Sequence, residues 1–184
     1  MKEKELEWQP YKIGDVLVFQ SDLDVLDTIW IKEISLYSNP KDNLSPLSDY
    51  NEILFVNGET SSSLKNSGAN YKYEKFITLL KVTASDKSNI RLMLSKKNST
   101  INYPEISLTI DNLIEIFENE PKINFFNISD VIEINGKDAS GFVSDVKTIW
   151  WSKKLGYVKY NFKDNSYWEI KKFIRNGENL LEKQ

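Results

Sequence analysis

Apolar and polar residues alternate along much of this chain, most cleanly in its last third, Asp145 to Ile170, which reads DVKTIWWSKKLGYVKYNFKDNSYWEI. Alternation with a period of two is what a strand shows when one face of an antiparallel sheet is buried and the other meets water. Two turns divide the segment into three strand-like runs. Gly156 closes Ser152-Lys153-Lys154-Leu155-Gly156, where a positive φ costs little only for glycine, and Lys163-Asp164-Asn165 supplies the second turn. Counting in twos puts Ile149, Trp151, Val158, Tyr160, Phe162, Trp168 and Ile170 on the core face. Trp150, Tyr157 and Tyr167 then fall on the opposite face with Lys159 and Glu169. That outward group is the candidate binding surface, because amphipathic aromatics dominate interface energetics; cross-strand aromatic pairs also stabilise a sheet by themselves.

Upstream, Val16 to Gln20 and Val25 to Ile34 predict a hairpin about Ser21-Asp22-Leu23-Asp24. Glu52 to Val56 predicts a third strand. Tyr71 to Thr83 is the longest, turned by Ser85-Asp86-Lys87-Ser88 into Ile90 to Leu94. Residues 38 to 50 and 57 to 70, rich in Pro, Asn, Ser, Asp and Gly, read as surface loops. Ile106 to Ile110 alternates like a strand, whereas Leu113, Ile114, Ile116 and Phe117 fit a short helix over 112 to 119 that stops before Pro121. Ile123 to Phe126 and Val131 to Ile134 are further short strands, the latter followed by the turn dipeptide Asn135-Gly136. Residues 1 to 7 are charge-dense and lack an apolar period, which predicts a flexible, solvated lead-in; residues 176 to 184 predict a frayed tail. The remainder, 8 to 175, reads as one domain. About nine or ten strands with at most one or two short helices predict an all-β antiparallel meander forming a sandwich or partly open barrel.

Composition sharpens this picture by exclusion. A chain of 184 residues suits one core, burying roughly 70% of its unfolded surface. The 24 basic and 27 acidic residues give a net charge of -3 with no concentrated basic stripe, which predicts against a nucleic-acid partner. Arg91 and Arg175 are the only arginines. Cysteine and histidine are both absent, which removes thiol nucleophiles, disulfides, thiolate zinc sites, Ser-His-Asp triads and HExxH sites. GxGxxG and GxxxxGK are absent as well. Asp22, Asp24 and Asp27 carry hard oxygen ligands, but without the central glycine and terminal glutamate of a calcium loop they read as a hairpin turn. Glu115, Glu118, Glu120, Asp130, Asp138 and Asp145 include enough carboxylates for a glycosidase pair, and nothing in the sequence sets any two at the required separation. The expectation is no catalytic, cofactor or metal site, and no enzyme.

Ile149-Trp150-Trp151-Ser152-Lys153-Lys154-Leu155-Gly156-Tyr157-Val158-Lys159-Tyr160, followed by Trp168-Glu169, resembles the closing hairpin of small envelope lipoproteins of Bacteroidetes-type bacteria. Tyr11-Lys12-Ile13-Gly14-Asp15 through Phe19, and Asp27-Thr28-Ile29, resemble their opening strands. The resemblance implies export and a lipid anchor, and hence a precursor extending upstream of Lys2 through ~15 to 20 residues with an apolar core and a terminal cysteine. Lys2 to Glu7 would then be a tether, and the membrane would be met through that anchor alone. The expected function is a non-catalytic, envelope-located domain with a binding or structural role toward another protein. Two other readings compete: an immunity protein that neutralises a secreted antibacterial toxin in the cytoplasm or envelope, and a carboxylate-dependent hydrolase, which needs two acids converging in a cleft.

Overall fold

A computed structural model describes residues 1–38, 50–61, 74–82, 87–93, 105–125, 128–136 and 146–182. Its strands are β1 Val16–Ser21, β2 Leu26–Ser38, β3 Tyr50–Thr60, β4 Glu74–Val82, β5 Lys87–Met93, β6 Glu105–Thr109, β7 Ile123–Phe125, β8 Ile128–Asn135, β9 Val146–Ser152, β10 Gly156–Phe162, β11 Tyr167–Arg175 and β12 Glu178–Asn179. The described residues also form two helices, α1 Glu3–Leu6 and α2 Ile110–Asn119. The all-β antiparallel prediction holds. All 12 strands belong to one sheet, in the order β6-β5-β4-β3-β2-β1-β11-β10-β9-β8-β7, with β12 paired to β11. Only one junction departs from sequence order: β1 lies between β2 and β11, so the first strand welds the two halves of the meander together.

Helix α2 leaves the β6 edge and leads to the β7 edge, touching β5, β6 and β8. Strands β5 and β8 are eight intervals apart along the sheet, about 38 Å if it were flat, whereas a helix with its side chains is about 10–12 Å across. The sheet therefore curls back on itself and stays partly open where α2 sits. Helix formation follows from local chemistry. Thr109 caps the start, its Oγ1 accepting from Asn112 N at 3.1 Å, Ile110 and Leu113 enter the core, and Lys122 Nζ donates to the Phe117 and Glu120 carbonyls beyond the last turn. The core runs inside the curl, where Leu17, Phe19, Ile29, Val56, Ile77, Ile90, Ile106, Ile134, Ile149 and Phe173 are all buried.

Several boundaries differ from the sequence reading. Asn57 to Thr60, expected in a loop, continue β3, because Gly58 passes so close to Ile29 that a Cβ would meet its Cγ2 at 2.9 Å. Residues 39–49 and 62–70 of the expected loops, 71–73 and 83 of the expected strand, the turn residues 85 and 86, and residues 137–145 lie outside the described residues. The tail does not fray as far as Glu182. Asn179 Oδ1 accepts from Phe173 N at 3.1 Å, Leu180 N donates to the Phe173 carbonyl at 2.7 Å, and Leu180 and Leu181 pack against the core.

The lead-in is solvated at Lys2, Glu3, Lys4, Leu6 and Glu7, with Glu5 buried, and the chain from Met1 to Asp15 crosses one end of the curl and is tied to strands of both halves. The Met1 ammonium pairs with Glu52 on β3, Glu5 lies 4.0 Å from Lys81 on β4, and Glu7 pairs with Lys153 after β9 at 3.1 Å. Trp8 meets Phe117 of α2 edge-on at 5.6 Å, and Tyr11 lies against Phe173 of β11 at 5.9 Å. Charge density misleads here because only one of the four charges at positions 2 to 5 is buried, and that one is compensated. Burial alone would raise the Glu5 carboxyl; the Lys2 N–H at 2.6 Å and the charge of Lys81 outweigh it and hold it below its ordinary value.

Candidate functional site

Strands β8 to β11 set the outer face by their register. Trp150 lies opposite both Glu133 on β8 and Lys159 on β10, and Lys159 lies opposite Glu169 on β11. The side chains follow the backbone. Trp150 Nε1 donates to Glu133 Oε2 at 3.1 Å, and Phe125 of β7 meets the indole edge-on at 5.8 Å. Lys159 Nζ sits 5.1 Å from the Trp150 ring centre, 4.3 Å from that of Tyr167 and 3.6 Å from Glu169, which also holds Lys171 at 2.7 Å. The row is thus a mutually satisfied band: an ammonium between two aromatic faces, two acids and two lysines in balance, and aromatic edges half open to solvent. Its polar groups pair with one another rather than with a hydroxyl nucleophile. What it offers is a rigid, nearly neutral amphipathic surface.

Of the five predicted surface residues, Trp150, Lys159, Tyr167 and Glu169 come together on this face, and Tyr157 does not. Tyr157 is 0% exposed, its ring 5.0 Å from Trp151 and 6.2 Å from Tyr160. The cause is a β-bulge. Tyr157 pairs with Trp151 and Lys159 with Trp150, so Val158 is an extra residue against β9, and Tyr157 and Val158 are both buried in succession. Counting in twos fails across one inserted residue. The core set predicted from the same count is correct: Ile149, Trp151, Val158, Tyr160, Phe162, Trp168 and Ile170 are all buried. Phe125 and Glu133 escape a sequence reading because only strand order brings β7 and β8 beside β9.

Among the described residues the carboxylate candidates are held in separate local contacts. Asp24 adopts φ 59° in the β1–β2 turn and accepts from Gln20 Nε2 at 2.9 Å, while Asp27 is buried and accepts from Ser61 Oγ at 3.1 Å. Asp130 accepts from Ser152 Oγ at 2.8 Å and Lys154 N at 3.2 Å, fixing the β9–β10 turn. Glu115, Glu118 and Glu120 are exposed, and Asp138 and Asp145 lie outside the described residues. Among the described residues no three acidic side chains gather to hold a metal ion, and no helix is long and apolar enough to cross a membrane. Compared with protein-family models, with curated proteins and with solved structures, the chain matches none.

Two buried phenols define the interior electrostatics. Burial pushes the Tyr160 phenol well above its ordinary 10.0, and the charge of Asp27 pushes the same way. Burial does the same to Tyr11, Asp15 adding to the shift while the Tyr157 N–H and Arg175 partly offset it. Both rings stay protonated in the fold, so their contribution to stability is fully present below pH ~10 and is lost as pH rises beyond it, where only the unfolded chain gains by ionising. In an alkaline titration followed by tyrosinate absorbance, we expect the last fraction of the nine tyrosines, Tyr11 and Tyr160 among them, to appear only with unfolding. A single reversible wave for all nine would contradict the burial of Tyr11 and Tyr160.

Proposed function

We propose that this chain is a non-catalytic β domain of the cell envelope that binds or supports another protein, lipid-anchored in its native form, with Trp150, Lys159, Tyr167 and Glu169 on its contact face. The observation that carries the binding role is the outer band itself. Half-open aromatics held rigid by an interleaved ammonium lose little entropy on docking, and the balanced charges neither attract a phosphate backbone nor repel a protein of either sign. The envelope location rests on the resemblance of the closing hairpin and opening strands.

Two measurements test the two halves of this reading. The native gene should encode the apolar leader and cysteine upstream, and fractionated cells should hold the protein with the membranes. A product that begins at Met1 and stays in the cytosol removes the envelope assignment and makes neutralisation of a toxin the reading to pursue. For the surface, in-cell cross-linking should give a discrete heteromeric species that the Trp150→Ala, Tyr167→Ala double variant loses while it remains folded. Unchanged cross-linking in that folded variant would place the contact elsewhere.

A further inference from the structure

The segment that crosses the end of the curl is built like a ligand. The N–H groups of Glu5, Leu6, Glu7, Trp8 and Gln9 all bond to carbonyls of Lys2, Glu3, Glu5 and Leu6 within the segment itself. It meets the sheet through side chains and through the Pro10 carbonyl, which accepts from Arg175 Nη2 at 2.8 Å. Glu5, Trp8 and Tyr11, spaced three residues apart, are 4%, 1% and 3% exposed, and they reach three different regions: β4 through Lys81, α2 through Phe117, and β10–β11 through Gly156, Tyr157 and Phe173. Lys153 stacks over Trp8 at 4.6 Å while pairing with Glu7, and the Met1 ammonium pairs with Glu52. Gly14 and Asp15, bonded to the Ile31 backbone, form the turn that joins the segment to β1; Gly14 has φ 92° and open space around it. An element bonded internally, docked by side chains and one carbonyl, and joined at one turn can leave without breaking a strand ladder.

We propose that Met1–Lys12 is a detachable plug, which swings out about the Gly14 turn while the sheet stays folded. The end of the curl is its docking site and accepts the same segment from a second copy of the chain. The recognised chemistry is a helical turn that carries a carboxylate, an indole and a phenol at three-residue spacing, matched by Lys81, the Phe117–Lys153 pair and the Gly156–Tyr157 backbone. The contacts of Glu5, Trp8 and Tyr11 do not depend on where the outer band docks.

Hydrogen exchange on the full chain tests the opening. The amides of Glu5 to Gln9 should exchange at least tenfold faster than those of Ile149, Tyr160 and Ile170, through an opening insensitive to low denaturant. Glu52→Gln, which removes a partly exposed ion pair, should speed the segment about two- to fivefold and leave the strands unchanged. Exchange of segment and strands at one common rate would overturn the proposal. The docking site is tested with a synthetic peptide of residues 1 to 12. It should raise the thermal midpoint of full-length Trp8→Ala saturably, and a Trp8→Ala version of the peptide should not. Failure of the peptide to stabilise the folded variant overturns the docking site. A Trp8→Ala chain that does not fold would equally overturn the plug, since the sheet would then be inseparable from it.

Discussion

Replacing Gly156 by alanine is expected to cost about 3–5 kcal/mol and to lower the melting temperature by about 6–20 °C. Two separate causes add. Gly156 has φ 76°, a conformation that costs an L side chain about 1 kcal/mol or more. The second cause is steric: a Cβ at this position would overlap Oη and Cζ of Tyr11, whose ring is buried. While the rest of its segment stays docked, Tyr11 cannot step aside cheaply, because its Oη accepts from Tyr157 N at 2.8 Å and moving the ring alone would leave that N–H buried without an acceptor. Gly14 separates the two causes, having φ 92° but no atom within 4 Å of the point where an alanine methyl would stand. Gly14→Ala should therefore cost only about 1 kcal/mol. Equal losses for the two variants in denaturant titrations would show that Tyr11 does not occupy the space above Gly156. In a Tyr11→Ala background the second change should cost much less, giving a strongly non-additive cycle.

That contact also marks where sequence reasoning stops. The glycine is legible as a turn residue with positive φ, and the strands around it are legible because burial alternates from Val158 to Phe162 and from Tyr167 to Ile170. Nothing local says that Tyr11 arrives over Gly156 from the far end of the chain. The same holds for the outer band. Trp150, Lys159, Tyr167 and Glu169 can be assigned to one face by alternation, but Tyr157 is carried to the wrong face by a bulge at Val158 that leaves no compositional trace. The lead-in misleads for a related reason: Glu5 reads as a surface charge until Lys2 and Lys81 are seen beside it, and the second of these is fixed only by the path across the curl. Periodicity reports the pleat, whereas contacts between distant segments depend on how the sheet closes.

Arg175→Ala is the second change expected to have a large effect, at about 3 kcal/mol, because it strips a buried carboxylate of its charge partner. Asp15 is 1% exposed and receives Arg175 as a two-point fork, Nε to Oδ1 at 2.8 Å and Nη2 to Oδ2 at 2.6 Å. The same Nη2 donates to the Pro10 carbonyl at 2.8 Å, so one guanidinium fastens the end of β11 to the turn that launches β1. Without it, Asp15 keeps the Lys12 N–H at 2.7 Å as a partner, which satisfies a lone pair but not the charge. Arg175→Lys should recover only part of the loss, since an ammonium supplies the charge without the planar fork. The Glu7–Lys153 pair gives the contrast, with Glu7 54% exposed; Glu7→Gln should change stability by no more than about 0.5 kcal/mol. Salt should separate them further, because screening weakens the exposed pair and leaves the buried one nearly intact. If Arg175→Ala and Glu7→Gln proved equally mild in denaturant melts, the fork would be ornamental, and the joint between β1 and β11 would have to be held by its strand ladder alone.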